Sequence, residues 1–154
     1  MARKESNVID PQTQTVLQDI LRRESRSVLM YVAEAYPWTN STRTETLTAL
    51  QQLIAAEREA VEDLGRFLVR QRIPLPFLPS YPTHFTTINF LALGYILPRL
   101  IEHERQSIAE LESDLAALKA PAARAEVEKL LALKRKHLPQ LEELASEQPQ
   151  ASVT

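Results

Sequence analysis

Ionisable side chains stand in the middle of four otherwise apolar helical patterns. Residues at three- and four-residue spacing share one face of an α-helix, and in four segments of this chain that face is apolar except near mid-length. The exceptions are Glu24, Glu57, Glu104 and the pair Lys134 and His137. Burying a charge without a partner is costly. We therefore expect these groups to meet and to form one polar centre inside the fold.

The elements that must position this centre are long helices. Glycine occurs only twice, whereas Leu, Ala, Glu and Arg are abundant, a composition that favours helices over a turn-rich β fold. Prolines and capping residues mark the ends. They predict helices over residues 11–36, 43–72, 84–118 and 121–145, a flexible N-terminus over 1–10 and a flexible tail over 146–154. The predicted fold class is all-α, with one domain over residues 11–145.

The connection between the second and third predicted helices carries topological information. Prolines 74, 76, 79 and 82 exclude a helix there, and an extended proline-rich chain rises about 3.1 Å per residue. Some 12 residues then span about the length of a 25-residue helix, roughly 37 Å. The connection can cross from one end of a four-helix bundle to the other, which allows the second and third helices to run parallel.

At the charged positions the chain resembles the ferritin-like superfamily, in its rubrerythrin and bacterioferritin branch. The resemblance implies a bundle that holds two metals through a Glu on helix 1, Glu-x-x-His on helix 2, a Glu on helix 3 and Glu-x-x-His on helix 4. It makes Glu24, Glu57, Glu104 and His137 metal ligands. Two positions depart from the pattern, because Ala60 stands where the family has His and Lys134 replaces a bridging Glu. The departures argue against a working two-metal centre.

The sequence is compatible with two states of the predicted centre. The Lys134 ammonium can occupy a vacated metal position and bridge the carboxylates, with a proton on one of them and no cofactor. Alternatively, Glu57, Glu104 and His137 hold one divalent iron, manganese or zinc ion. Three carboxylates and one ammonium carry a formal charge of −2, which one such ion would balance.

Composition and sequence pattern narrow the function classes. A formal net charge of −2 gives no field for a phosphate backbone, so no nucleic-acid partner is expected. The absence of cysteine excludes thiolate sites. The most apolar stretch, 85–101, is interrupted by polar residues, so no membrane crossing is expected. Residues 1–10 are too polar for a secretory signal, which makes a cytoplasmic location the expectation.

Three functions are compatible with this pattern, and whether the chain is an enzyme stays open. The first is a ferritin-like bundle that acts through protein association, as a homodimer or with another protein partner. Its candidate contact surface is the apolar part of the crossover, namely Ile73, Leu75, Phe77, Leu78 and Tyr81. The second is a mononuclear metal-binding protein of oxidoreductase type. The third is a helical adaptor unrelated to ferritins, in which the four charged positions point apart.

Residues beside the predicted centre are interpreted as follows. Tyr31 is assigned to core packing, although it could also serve the centre as a redox or hydrogen-bonding group. Glu102 and His103 are placed at the rim, with Glu102 as a substitute ligand if Pro98 rotates the helix. The arginines at 22, 23 and 26 are interpreted as a solvated face.

Overall fold

The chain is all-α in the residues that the structure describes. The structure, a computed structural model, describes residues 9–34, 43–90 and 92–147. For residues 87–90 it describes the backbone only. The described residues form five α-helices and one 3₁₀ helix, and no β-strand occurs among them. The α-helices are α1 (Pro11–Ser25), α2 (Val28–Glu34), α3 (Thr44–Arg70), α4 (Leu93–Ala117) and α5 (Pro121–Ser146), and the 3₁₀ helix is Thr83–Phe90. The all-α prediction is thereby confirmed.

The first predicted helix is interrupted. The structure ends α1 at Ser25 and starts α2 at Val28, so the prediction of one helix across this point is wrong. Ser27 explains the break, because its hydroxyl accepts a hydrogen bond from the backbone N–H of Met30 at 3.3 Å, as an N-terminal capping residue does. Residues 35 and 36, at the end of the predicted helix, lie outside the described residues.

The end of α3 is set by a left-handed residue. Arg72 has φ of 59°, and the N–H of Ile73 donates to the carbonyl of Leu68 while that of Arg72 donates to Val69. This pair of bonds is the Schellman arrangement, which closes a helix. It ends α3 at Arg70 rather than at 72 as predicted. At the other end, Thr42 of the predicted capping pair with Glu45 lies outside the described residues.

The third predicted helix begins later than the sequence indicated. Residues Thr83–Phe90 form a 3₁₀ helix, and α4 starts only at Leu93. The hydroxyl of Thr86 donates to the carbonyl of Thr83 at 2.8 Å, a local bond that competes with the α-helical pattern. The short predicted connection before α5 and the start of α5 at Pro121 are confirmed.

The apolar core consists of two clusters, one towards each end of the helices. The first cluster joins the whole of α1 to the C-terminal halves of α3 and α4 and the N-terminal half of α5. The second joins α2 to the N-terminal halves of α3 and α4 and the C-terminal part of α5. This distribution means that α3 and α4 run parallel to each other and antiparallel to α1, α2 and α5. The parallel order of α3 and α4 agrees with what the crossover allows, and the four-helix bundle stays a prediction.

The contacts between the helices agree with this arrangement. Helix α1 packs against α3 and α4, and α5 packs against the same two helices from the other side. At the chain start, Ile9 is buried and Asp10 caps α1, because the Asp10 carboxylate accepts a bond from the N–H of Thr13 at 3.1 Å. These two residues belong to the folded part, whereas 1–8 and 148–154 of the predicted flexible ends lie outside the described residues.

Candidate functional site

The ammonium group of Lys134 lies between three buried carboxylates. Its Nζ atom is 2.8 Å from Oε1 of Glu57, 3.1 Å from Oε1 of Glu24 and 3.3 Å from Oε1 of Glu104. All four side chains are buried, and each comes from a different helix: α5, α3, α1 and α4. The structure thus brings together the four mid-helix charges that the sequence pattern placed on buried faces.

Periodicity explains why these side chains point inward. Glu57 lies on the buried face of α3 between Ile54 and Val61, and Glu104 lies on that of α4 between Ile101 and Ser107. Lys134 follows Leu130 on α5 at the same spacing. The two apolar clusters flank this level, so the charged centre separates them.

His137 joins the centre one turn after Lys134. Its Nδ1 atom lies 2.8 Å from Oε2 of Glu57, so both oxygens of Glu57 have a partner. Burial by itself would raise the pKa of Glu57, but hydrogen bonds from His137 and Glu104 together with the Lys134 charge lower it to about 2. Glu57 is therefore ionised at neutral pH.

Glu104 takes the opposite protonation state. Burial, followed by the hydrogen bond with Glu57, raises the pKa of Glu104 to about 9, although Lys134 opposes the increase. Glu104 is therefore neutral at pH 7. Its Oε2 atom is buried and has no hydrogen-bond partner among the described residues.

Glu24 is held by two residues whose role the sequence analysis missed. The hydroxyl of Ser107 lies 2.9 and 3.1 Å from the two oxygens of Glu24, and Arg23 Nε lies 3.2 Å from its Oε2. Arg23 also reaches Glu110 and Asp114 on α4 at 3.4 and 2.9 Å. Its assignment to a solvated face is wrong, because the guanidinium is drawn over Glu24 by these acids. The position of Ser107, one turn after Glu104 on a buried face, was a usable signal.

Protonation of Glu104 lowers the excess negative charge of the centre. Lys134 then faces the carboxylates of Glu24 and Glu57, and Arg23 contacts Glu24 while it also pairs with Glu110 and Asp114. Burial by itself would lower the pKa of Lys134, but the three glutamates raise it above its ordinary value, so the ammonium keeps its charge.

The residues beside the centre, Glu102, His103 and Tyr31, differ from one another in burial and in contacts. Glu102 is exposed and lies 3.7 Å from Arg105, so it is not a substitute ligand. His103 is only half-buried, yet its Nε2 atom is buried and has no partner among the described residues. Burial and the nearby Lys134 charge lower the pKa of His103, which keeps it neutral at pH 7. Tyr31 packs against Tyr81, with ring centroids 5.3 Å apart, in the second apolar cluster.

The spacing of three of these residues is also compatible with the binding of one metal ion. Glu57, Glu104 and His137 can each offer one ligand atom, and these atoms lie within 4.8 Å of one another. A carboxylate–carboxylate–imidazole set suits zinc, manganese or ferrous iron. Because the Lys134 ammonium contacts two of these ligands, a metal ion there would have to displace it. Ala60, where the resemblance expects a His, packs against the first apolar cluster.

Comparison with protein-family models, with curated proteins and with solved structures finds no match for this chain. The resemblance to ferritin-like proteins consequently depends on the charged positions and on the helix order alone. Among the described helices, none combines the length and the apolar character that crossing a bilayer requires.

Proposed function

We propose that this chain is a ferritin-like four-helix bundle in which Lys134 takes the place of a metal ion. The observation that carries the proposal is the contact of one buried ammonium with three carboxylates from three other helices. The parallel order of α3 and α4, with an extended connection between them, supports the same fold.

The centre then has a structural role rather than a catalytic one. An ammonium has three N–H donors, which matches three carboxylate acceptors, and the Glu104 proton reduces the formal charge of this group from −2 to −1. Since each partner lies on a different helix, the network fixes the relative heights of α1, α3, α4 and α5. A non-enzymatic role leaves association with other proteins as the activity of the molecule.

The contact surface that we propose is the exposed part of the crossover. Phe77 is 83% exposed and Leu75 is 56% exposed, which is unusual for large apolar side chains. Ile73, by contrast, is buried and does not belong to this surface. The preferred partner is a second copy of the chain, giving a homodimer.

Light scattering tests the dimer. The wild type is expected to have the mass of two chains at high micromolar concentration, and Phe77→Ser is expected to shift it towards one chain. Tyr95→Ser is the matched control, because Tyr95 is an aromatic residue 61% exposed on α4, outside the crossover. A wild type that stays a single chain at that concentration contradicts the dimer.

The second candidate function is a mononuclear metalloprotein of oxidoreductase type, which the spacing of Glu57, Glu104 and His137 favours. In this candidate Lys134 moves away from the ion and one of iron, manganese or zinc takes its place. Elemental analysis after reconstitution with each metal separates the two proposals. One ion per chain supports the metalloprotein, and a substoichiometric amount supports the lysine-bridged centre.

A further inference from the structure

The crossover is attached to α1 at two points. The carbonyl of Pro74 accepts a hydrogen bond from Gln18 Nε2 at 2.7 Å, and that of Pro79 accepts one from Arg26 Nε at 2.5 Å. The Arg26 guanidinium also lies 4.9 Å from the ring centroid of Tyr81, a cation–π contact. The segment 75–78 lies between these two attachments.

A hollow lies beneath this segment. It has a volume of about 230 Å³, and its apolar lining comes from α1, α3 and the crossover. The apolar lining residues are Leu21, Val61, Gly65, Leu75, Pro76 and Leu78. An apolar cavity of roughly 150 Å³ accepts benzene, so this hollow has room for an aromatic side chain.

A second cavity of about 200 Å³ adjoins the hollow, and the two share Ser25, Val61, Glu62 and Leu78 as lining residues. Its charged side chains are Arg26, Arg58, Glu34 and Glu62. Arg26 is engaged by Pro79 and Tyr81, and Glu34 accepts a bond from the Tyr81 hydroxyl at 3.3 Å.

Arg58 and Glu62 are the loosely held charges of this cavity. Arg58 Nε lies 4.0 Å from Oε2 of Glu62, the outer limit of an ion pair, and each side chain is more than half exposed. Exposed pairs of this kind contribute little to stability. The cation lines the adjoining cavity, and the anion lines both that cavity and the apolar hollow.

Gly65 lies in the wall of the hollow. A Cβ atom at this position would lie 3.8 Å from the nearest atom of Leu21, which is ordinary van der Waals contact. Alanine would fit, and it would favour the helix by about 1 kcal/mol relative to glycine. Packing therefore does not require glycine at this interior position of α3, which lines the hollow.

We infer that the two cavities bind a free α-amino acid with an apolar side chain of aromatic size. The side chain occupies the hollow, the carboxylate pairs with Arg58 and the ammonium pairs with Glu62. Charge complementarity selects this class, because the cavity offers both signs of charge. An apolar anion would face Glu62 and Glu34, and an apolar cation would leave Arg58 unpaired, so each is disfavoured. The inference does not depend on the proposed role of the Lys134 centre.

Isothermal titration of the full chain with L-phenylalanine tests the inference. N-acetyl-phenylalanine lacks the ammonium and phenylalaninamide lacks the carboxylate, so each is expected to bind at least about tenfold more weakly, equivalent to about 1.4 kcal/mol. Glycine, which has no side chain, is expected not to bind. Absence of saturable L-phenylalanine binding, or equal affinity for phenylalaninamide, would overturn the inference.

Two substitutions test which residue binds the carboxylate of the ligand and which binds its ammonium. Arg58→Gln is expected to reduce L-phenylalanine affinity about tenfold, to the level of phenylalaninamide, and Glu62→Gln to reduce it to the level of the N-acetyl compound. Arg66→Gln is the control for lost charge, because Arg66 pairs with Asp63 and lines neither cavity. Equal affinity in Arg58→Gln and Arg66→Gln would contradict the assignment.

Filling the hollow is the second test. Gly65→Leu is expected to abolish binding, whereas Ala55→Leu, on an exposed position of the same helix, is expected to leave it unchanged. Equal affinity in these two variants would overturn the inference. Should Gly65→Leu fail to fold, the charge variants on the exposed Arg58 and Glu62 decide the outcome.

Discussion

Lys134 Nζ lies 2.8 Å from Oε1 of Glu57, although 77 positions separate the two residues along the chain. The contact joins the middle of α5 to the middle of α3, between the two apolar clusters. Because the same ammonium also contacts Glu24 and Glu104, one side chain links α5 to three other helices.

Lys134→Met should destabilise the fold strongly. It leaves buried carboxylates without their cation, and removal of one partner from a buried charge network costs about 3–5 kcal/mol. Urea denaturation measures the loss in free energy of unfolding. Lys136→Met, an exposed position on α5, should change it by less than about 0.5 kcal/mol. Equal effects of the two substitutions would show that the network does not hold the helices.

The stability of the wild type should fall as the pH rises from about 5 to 9. Glu104 has a folded pKa of about 9 against an ordinary value of 4.5, so the folded state binds an extra proton in this interval. The Glu104 contribution is complete below pH 4.5 and is lost as the pH rises through 9. The expected change is on the order of a few kcal/mol, since one pKa unit corresponds to about 1.4 kcal/mol.

Glu104→Gln tests this assignment, because glutamine keeps the shape and does not titrate. The decrease between pH 5 and 9 should disappear in this variant and persist in Glu102→Gln, whose side chain is exposed on the same helix. Denaturation curves at several pH values measure both. Glu57, with a folded pKa of about 2, gives a separate loss of stability as the pH falls below 4.5. A Glu104→Gln variant with the wild-type pH profile would refute the neutral state of Glu104.

Ser107→Ala should weaken the hold on Glu24. The substitution removes the hydroxyl that lies within 3.1 Å of both Glu24 oxygens, and the loss of a partner of a buried charged group costs about 1–3 kcal/mol. Ser113→Ala, an exposed position of α4, is the control. Thermal unfolding monitored by circular dichroism compares the two variants, and equal midpoints would place Ser107 outside the network.

Restoring the two departures from the ferritin-like pattern should create metal binding. Lys134→Glu combined with Ala60→His supplies four carboxylates, which balance two divalent cations, and a second histidine. Elemental analysis after reconstitution with iron or manganese should find about two ions per chain in this variant. The control combines Lys136→Glu with Ala55→His at exposed positions. Metal content equal to that of the control would count against the correspondence with ferritin-like ligands.

The helical class and the buried charges could be predicted because their signals are local. Proline at 121 fixes the start of α5 through its own φ angle, and helical spacing places Glu57, Glu104 and Lys134 on apolar faces. The length of the proline-rich connection allowed the parallel order of α3 and α4, because chain length sets reach.

The break in the first predicted helix and the late start of the third could not be predicted, because each depends on one hydrogen bond that competes with the regular α-helical pattern. Ser27 breaks the first predicted helix by accepting a bond from Met30, and Thr86 bonds back to Thr83 where the third was expected to begin. Both residue types also occur inside helices, so composition alone does not decide between the alternatives.

The sequence by itself determined which charged side chains must be buried, since periodicity along one helix specifies its apolar face. Only the tertiary structure decided that Lys134 lies between Glu24, Glu57 and Glu104, that Glu104 carries the proton and that Arg23 and Ser107 hold Glu24. The physical reason is that pKa values and ion pairs depend on distances of a few ångströms between helices far apart in sequence, and packing of the two apolar clusters sets those distances.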